Sequence, residues 1–189
     1  MINRILFITL SNIGDCILTL PVLDTLREDF PGAQITVLAG LRTQGIFQSN
    51  PHINRTIIYD KHSGLKEKIK LFRTLKEERF DMVVDLRNSF LGTLLTARIK
   101  TSPFLVIPKD IKHMKDRHLY KIKYQLSNTK NIFPSNLQNK SLYIKPEDEE
   151  YINGILKENA ITDKDKIVVI SPGARSHIKR WAQDKFVEL

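Results

Sequence analysis

The sequence has few of the features that mark secreted or membrane-spanning proteins. Its 189 residues include one cysteine, Cys16, so no disulfide can form within the chain. Charged residues interrupt every apolar run longer than a strand, and no run is long enough to cross a membrane. Residues 1–4 lead directly into a strand, without the cleavage site of a signal peptide. We therefore expect a cytoplasmic protein in which Cys16 is a small apolar residue on the buried side of the first helix.

Several common catalytic and binding motifs are absent as well. The turn at 11–15 has one glycine where a dinucleotide-binding turn needs several, and neither a Gly-Lys-Ser/Thr phosphate loop nor a Gly-x-Ser-x-Gly elbow occurs. The five histidines lack the spacing of a zinc protease, so we expect no metal site. Zinc-finger spacing, an aromatic RNP-like strand and a basic zipper are also missing, so nucleic acid is not an expected partner.

Acidic residues are outnumbered by basic ones. The chain has 30 Lys and Arg against 21 Asp and Glu, a net charge of +9. Such a surplus indicates an anionic partner, which would be nucleic acid, an acidic membrane face or a phosphorylated substrate. A solvated lysine-rich surface explains the same number, so composition alone does not decide between these readings.

What the sequence does contain is an alternation of strand-like and helix-like segments. Apolar runs of strand length lie at 5–10, 34–39, 55–60, 82–86, 103–107 and 166–170. Helical spacing predicts helices at 14–30, 61–79, 90–99, 117–126, 146–159 and from 181 onward. Pro21 should kink the first of these helices or shift its start. Strands alternating with helices predict an α/β fold with a Rossmann-like parallel sheet.

The C-terminal end of the sequence predicts the opening of a second domain. The strand-like segment 166–170 is followed by a turn at 171–174 and by a helix in which the sequence ends. A strand-turn-helix unit needs further strands beside it, and none follows. We therefore expect one domain at 1–160 and the first strand and helix of another at 161–189. The chain would then be the front part of a longer, two-domain protein.

The turn after the first strand is the strongest candidate for a functional site. Ser11 and Asn12 can cap the following helix, and Gly14 permits a close approach of a ligand to the backbone. Asp15 falls in the first helical turn, at the edge of the sheet where open α/β folds bind ligands. On these residues alone, Asp15 is either a helix-end charge or a catalytic group.

A second candidate site lies near the C-terminal end. Residues 171–174 (Ser171-Pro172-Gly173-Ala174) form a turn of small residues with free backbone amides, and the cations Arg175 and Lys179 follow it. Amides and cations at the start of a helix suit a diphosphate. A carboxylate facing a diphosphate site is what transfer of a group from a nucleotide-activated donor requires.

Three segments of the sequence resemble glycosyltransferase family 9, the ADP-heptose:lipopolysaccharide heptosyltransferases. Residues 4–8 (RILFI), 11–15 (SNIGD) and 19–21 (TLP) resemble the N-terminal signature of that family. Residues 80–89 (FDMVVDLRNS) resemble its central strand and turn. Residues 169–174 (VISPGA), with 179–181 (KRW) and Phe186, resemble the opening of its C-terminal domain. In this order the three matches extend over essentially the whole chain.

The resemblance implies a GT-B architecture, with two Rossmann-like domains around a cleft, and an inverting transfer. It implies that Asp15 is the general base and that Lys179 binds the donor diphosphate, without a metal ion or other cofactor. The other donor-side residues would be Gly14, Ser171, Gly173, Ala174 and Arg175. Residues that bind the nucleotide base and ribose lie in the family's C-terminal domain, so we expect residues 1–189 alone to be inactive.

The resemblance also implies an acceptor site in the N-terminal domain, which would be an acceptor-binding domain. Its candidate residues are Ser11, Asn12, Arg42, Arg87, Asn88, Arg117 and His118. The expected partners are a nucleotide sugar, a lipopolysaccharide core or other lipid-linked acceptor, and the anionic surface of the inner membrane, to which the protein would bind peripherally.

Two departures from the family pattern leave the donor sugar and nucleotide open. Arg175-Ser176-His177 stands where many heptosyltransferases have threonine or serine, and Leu91 stands where some have lysine. A transferase for another surface polysaccharide therefore remains an alternative. A basic, non-catalytic binding module is a second alternative, from a different functional class.

Overall fold

The computed structural model describes residues 1–9, 12–48, 50–127, 142–174 and 176–187. The chain divides into two units, Met1–Ile144 and Lys145–Leu189. The predicted connector at 128–138 lies outside the described residues. The helix predicted at 146–159 belongs to the second unit, and the predicted domain division at 160 stays a prediction.

Five parallel strands form the sheet of the first unit, in the order β3-β2-β1-β4-β5. The strands are β1 (Arg4–Thr9), β2 (Gln34–Gly40), β3 (Arg55–Tyr59), β4 (Met82–Asp85) and β5 (Ile99–Lys100). All four neighbouring pairs are parallel. The predicted α/β fold with a Rossmann-like parallel sheet is thus confirmed. Because the strand order reverses direction at β1, the carboxyl ends of β1 and β4 flank the position where such sheets bind ligands.

Both faces of the central strands are buried, which explains their continuous apolar sequences. In β1, Ile5 and Phe7 pack with residues of β2, β4 and the helices that cover one face. The alternate residues Leu6 and Ile8 pack in a separate cluster on the other face, with Leu75 and Leu95. Successive side chains of a strand point to opposite faces, so a strand covered on both sides must be apolar throughout.

The helices of the first unit are α1 (Ile13–Ile17), α2 (Leu20–Asp29), α3 (Gln44–Phe47), α4 (Leu65–Glu77), α5 (Phe90–Leu94) and α6 (Met114–Leu126). A short 3₁₀ turn, Leu41–Thr43, precedes α3.

The segment predicted as one helix at 14–30 forms two helices, because the chain breaks between α1 and α2, and the predicted shift of the helix start at Pro21 is confirmed. Thr19 lies between the two helices, and its hydroxyl donates a hydrogen bond to the Cys16 carbonyl over 2.7 Å. Pro21 lies in the first turn of α2. Backbone N–H groups in the first turn of a helix have no acceptor within that helix. Proline, which lacks this N–H, therefore favours the start of a new helix there over the interior of a continuous one.

The strand predicted at 103–107 is also wrong, and the helix predicted at 90–99 is shorter than expected. The fifth strand is formed by Ile99 and Lys100, which pair with β4. Hydrogen bonds from Ile99 N to Asp81 O and from Thr101 N to Val83 O, both 3.1 Å, hold this segment to the sheet. An α5 that continued to residue 99 would remove those bonds.

The second unit contains α7 (Pro146–Glu158), a 3₁₀ turn (His177–Lys179) and α8 (Gln183–Val187). Glu147, Asp148 and Glu149 lie in the first turn of α7, where the helix dipole stabilises negative charge. The strand predicted at 166–170 is wrong, since these residues have no regular structure and Val169 is 87% exposed. A strand needs a hydrogen-bonded neighbour, and the described part of this unit contains no strand.

Among the described residues of both units, no helix is long and apolar enough to cross a membrane.

Candidate active site

Two loops meet at the carboxyl edge of the sheet, because β1 and β4 are neighbours. Ile8 of β1 is in register with Asp85 of β4. The loop after β1 leads to Asp15, and the loop after β4 carries Arg87. Arg87 Nη1 lies 4.0 Å from Asp15 Oδ2, and the two side chains are 45% and 48% exposed. The pair is thus accessible to a ligand, and an exposed pair of this kind adds little stability to the fold.

Asp15 lies in the first turn of the short helix α1. Asn12 occupies the N-cap position, but its side chain makes no capping hydrogen bond, so the predicted role of that side chain as a cap is wrong. Cys16 is fully buried, as predicted, and its thiol donates to the Thr9 carbonyl over 3.2 Å. This contact fixes the buried side of α1 against the end of β1, which leaves Asp15 on the open side.

The loop after β4 is held by the carboxylate of Asp85. Asp85 is 5% exposed. One of its oxygens accepts from Arg87 N at 2.9 Å, and the other accepts from Ser89 N at 2.6 Å and from Ser89 Oγ at 2.8 Å. Asn88, between them, has a φ of 53°, which places it in the left-handed region that asparagine tolerates. A β-carbon at Gly92 would lie 2.6 Å from that of Asp85, so only glycine leaves room for this carboxylate.

Helix α6 supplies a buried lysine to the same loop. Lys121 is 8% exposed, and its ammonium donates to Asn88 Oδ1 over 2.6 Å. Burial lowers the pKa of Lys121, the charge of Arg117 lowers it further, and the charge of Asp85 opposes both. Lys121 thereby joins α6 to the loop that carries Arg87.

His118 lies one helical turn before Lys121 on the same face of α6. Burial lowers the pKa of His118 to about 4, and the positive charges of Lys121 and Arg87 contribute to that shift, whereas Asp15 opposes it. The imidazole is therefore neutral near pH 7, so His118 can offer a hydrogen bond to a ligand but no positive charge.

Acidification should destabilise the wild-type protein more than a His118→Gln variant. The pKa falls from 6.5 to about 4 on folding, so below pH 6.5 the unfolded chain binds a proton that the folded chain does not. Protonation of His118 must then lower the free energy of unfolding as the pH falls through this window. Its contribution is about 2 to 3 kcal/mol between pH 7 and pH 4.5, which is the expected difference between the two proteins. Urea unfolding of both proteins at each pH measures the difference. Equal decreases in the two proteins would show that His118 is charged in the folded state.

Two adjoining grooves open at this edge of the sheet. The Asp15 groove has a volume of about 380 Å³. It is lined by Asp15, Thr19, Leu86, Arg87, Asn88, Leu105, Ile107, Met114, Arg117, His118 and Lys121. The Arg42 groove has a volume of about 500 Å³. It is lined by Asn12, Gly40, Leu41, Arg42, Tyr59, Asp60, Lys61, His62 and Arg87. Arg87 separates the two grooves and contributes to both.

The structure brings most of the predicted acceptor-side residues together. Asp15, Asn88, Arg117 and His118 share the Asp15 groove, and Asn12 and Arg42 share the neighbouring one, with Arg87 common to both. Gly14 is exposed, with open space around its α-carbon, and lines neither groove.

The predicted donor-side residues near the C-terminus belong to the second unit. Ser171, Gly173 and Lys179 are exposed, and Ala174 is half-buried. Ser11 and Arg175, the remaining two predicted site residues, lie outside the described residues. The donor role of all these residues remains a prediction.

Sequence reasoning missed Asp85 and Lys121. Asp85 falls within the predicted strand at 82–86, and a carboxylate at the last position of a buried strand is a signal for a structured loop. Lys121 lies four residues after Arg117 and three after His118, and this spacing on one helix face is the signal that could have identified it.

The groove combines a half-exposed carboxylate with three cationic side chains and a neutral imidazole. Asp15 can accept a proton from a bound hydroxyl group, and Arg87, Arg117 and Lys121 can hold negative charge on the same ligand. In the described ranges, no group of three or more His, Cys, Asp and Glu side chains could hold a metal ion. The geometry therefore suits a hydroxyl group on an anionic molecule.

Comparisons with known proteins point to one family. The family model described as "Glycosyltransferase family 9 (heptosyltransferase)" matches residues 68–189. Lipopolysaccharide heptosyltransferase 3 of Escherichia coli K12 is 30% identical over 190 residues, which cover 92% of this chain and 55% of that protein. The chain therefore spans about half the length of the curated relatives it matches.

Solved structures show the same fold. The crystal structure of a family 9 glycosyl transferase from Veillonella parvula superposes with a TM-score of 0.78 at 23% identity, covering 98% of this chain and 58% of the other. E. coli ADP-heptose lipopolysaccharide heptosyltransferase II superposes with a TM-score of 0.70 at 22% identity, covering 98% and 59%.

Proposed function

The chain belongs to glycosyltransferase family 9, and we propose from this that the protein transfers a heptose, or a related sugar, from a nucleotide-activated donor to a lipopolysaccharide core acceptor. The observation that carries the proposal to a mechanism is the position of Asp15, half-exposed in a groove with Arg87, Arg117 and Lys121. The E. coli relative is by name a lipopolysaccharide heptosyltransferase, which supports this donor and acceptor class.

In the proposed reaction an acceptor hydroxyl attacks the anomeric carbon of the donor sugar. The new bond forms between the acceptor oxygen and that carbon, while the bond from the carbon to the donor phosphate breaks and the nucleoside diphosphate leaves. Asp15 takes the proton from the attacking hydroxyl. Attack from the side opposite to the leaving group inverts the configuration of the sugar.

The cations around Asp15 are proposed to bind and orient the acceptor. Arg87 and Arg117 present guanidinium groups that suit phosphate or carboxylate substituents, and buried Lys121 adds charge in a site of low dielectric constant. Lipopolysaccharide cores carry such anionic groups. Holding the acceptor hydroxyl beside Asp15 supplies rate through positioning as well as through proton transfer.

On the donor side, Lys179 and the backbone amides near Gly173 and Ala174 are proposed to stabilise the leaving diphosphate without a metal ion. The family resemblance of residues 169–174 and 179–181 supports this assignment.

We further propose that the protein works at the cytoplasmic face of the inner membrane. The net charge of +9 supports binding to anionic lipid there.

A panel of nucleotide sugars tests the proposed function. The full-length protein is incubated with each donor and with deacylated lipopolysaccharide core, with and without EDTA, and nucleoside diphosphate release and product mass are measured. We expect release from ADP-heptose that depends on the acceptor and persists in EDTA.

Each other outcome identifies a different function. Transfer from another nucleotide sugar would indicate a transferase for a different surface polysaccharide, and loss of activity in EDTA would contradict metal independence. No release with any donor would favour a basic binding module. Salt-dependent DNA binding that is unaffected by Asp15→Asn would then support that module.

A further inference from the structure

The loop at 101–113, between β5 and α6, has two sides of different character. Leu105 and Ile107 line the Asp15 groove. The alternate residues Phe104 and Val106 are 87% and 85% exposed. One short segment therefore forms a wall of the candidate active site and presents two large apolar side chains to the outside.

The segment that carries this loop is strongly basic. Residues 98–115 contain five cations and one anion, a net charge of +4. The cations are Arg98, Lys100, Lys109, Lys112 and Lys115, and the anion is Asp110. Lys109 and Lys112 are exposed. Exposed apolar side chains beside lysines can bind an anionic bilayer, because the apolar groups enter the interface while the cations meet the lipid headgroups.

We propose that Phe104 and Val106 insert into the interface of an anionic bilayer, and that Lys109 and Lys112 hold the loop there. The inference rests on the proposed function in one respect, since a lipid-linked acceptor gives the contact its purpose. Docking through this loop places the wall of the Asp15 groove at the membrane surface, where such an acceptor presents its sugar.

A bilayer fits this surface better than a protein partner does. Two apolar side chains in a short loop cover far less than the roughly 1,000 Å² that a stable protein interface buries. The exposed lysines Lys109 and Lys112 are complementary to an anionic lipid surface, where each lysine contributes separately to binding.

The test is sedimentation of the full-length protein with vesicles of phosphatidylcholine mixed with phosphatidylglycerol, and with vesicles of phosphatidylcholine alone. We expect wild-type protein to bind the anionic vesicles. The double variant Phe104→Ser/Val106→Ser should bind them about tenfold more weakly, because it loses two partly inserted apolar groups. Lys109→Gln/Lys112→Gln should also bind about tenfold more weakly, and only to the anionic vesicles.

Helix α4 provides a matched control. Leu65 and Ile69 are 74% and 43% exposed and lie beside Lys66, Lys68 and Lys70. The variant Leu65→Ser/Ile69→Ser should keep vesicle binding within about twofold of wild type, because it leaves the 101–113 loop intact. A loss in this variant instead of in the loop variant would overturn the assignment to the loop.

Activity separates this inference from the proposed function. Phe104 and Val106 point away from the groove, so their double variant should transfer sugar to a soluble, deacylated acceptor at the wild-type rate. Transfer by a wild-type protein that binds no vesicles would overturn membrane docking and the proposed location at the inner membrane, and would leave the proposed transfer reaction standing. Vesicle binding without transfer to any acceptor would overturn the proposed function alone. A change in oligomeric state in the loop variant, with no vesicle binding by wild type, would identify a protein interface instead.

Discussion

Replacing Asp15 with asparagine should lower kcat for sugar transfer by about 10²- to 10⁴-fold, the usual contribution of a general base. Asparagine keeps the size of the side chain but cannot take a proton from the acceptor hydroxyl. The dissociation constant of the donor should change little. Initial rates of nucleoside diphosphate release at saturating acceptor measure the first quantity, and titration calorimetry with the donor checks the second.

The matched control is Asp116→Asn, which removes the same charge from the first turn of α6. Asp116 is exposed and lines neither groove, so its variant should keep the wild-type kcat. Thermal unfolding of both variants should match that of wild type, because the Asp15–Arg87 contact is long and solvent-exposed. If Asp15→Asn were as active as wild type, Asp15 would be a helix-end charge, the alternative that its sequence position left open.

The strands at the centre of the sheet could be predicted because burial leaves a local signal in the sequence. β1, β2 and β4 are covered on both faces, so most of their residues are apolar and the strands are followed by polar turns. The position of Asp15 could also be predicted, since the first turn after a central strand lies at the ligand-binding edge.

The edge of the sheet could not be predicted in the same way. Residues 103–107 look more like a strand than Ile99–Lys100 does, yet the latter pair is the one that bonds to β4. Pairing depends on which segment reaches the neighbouring strand, and sequence patterns do not contain that information. Residues 166–170 illustrate the same limit, because an apolar run becomes a strand only where a neighbouring strand accepts it.

The contacts inside the candidate site could not be predicted from the sequence, for a related reason. Lys121 and Asn88 are 33 residues apart, and their hydrogen bond exists only because α6 packs beside the loop after β4. Asp85 ends an apolar strand, so the sequence pattern places it in the sheet and does not show that it holds the following loop. Predicting which distant residue a polar side chain contacts requires knowledge of the fold, whereas the position of a residue at the end of a strand can be predicted from the local sequence pattern.

Replacing Asp85 with alanine should destabilise the protein by about 2 to 4 kcal/mol, a large share of the stability of a small domain. The carboxylate accepts three hydrogen bonds from Arg87 and Ser89, and the alanine variant removes the acceptor of all three. Its loss also removes the negative charge that favours the ammonium form of buried Lys121. Urea unfolding measures the change, and Asp116→Ala, which removes an exposed carboxylate, should shift the free energy of unfolding by less than about 0.5 kcal/mol.

A double-mutant cycle with Lys121→Met separates the two causes. Without the lysine, Asp85→Ala no longer leaves a buried cation uncompensated, so its cost should fall by on the order of 1 kcal/mol. The hydrogen bonds to Arg87 and Ser89 are lost in either background, which sets the remaining cost. Equal costs in both backgrounds would show that Asp85 acts on the loop alone. A cost below about 1 kcal/mol in wild type would show that the loop keeps its conformation without the carboxylate, and the position of Arg87 beside Asp15 would then need another explanation.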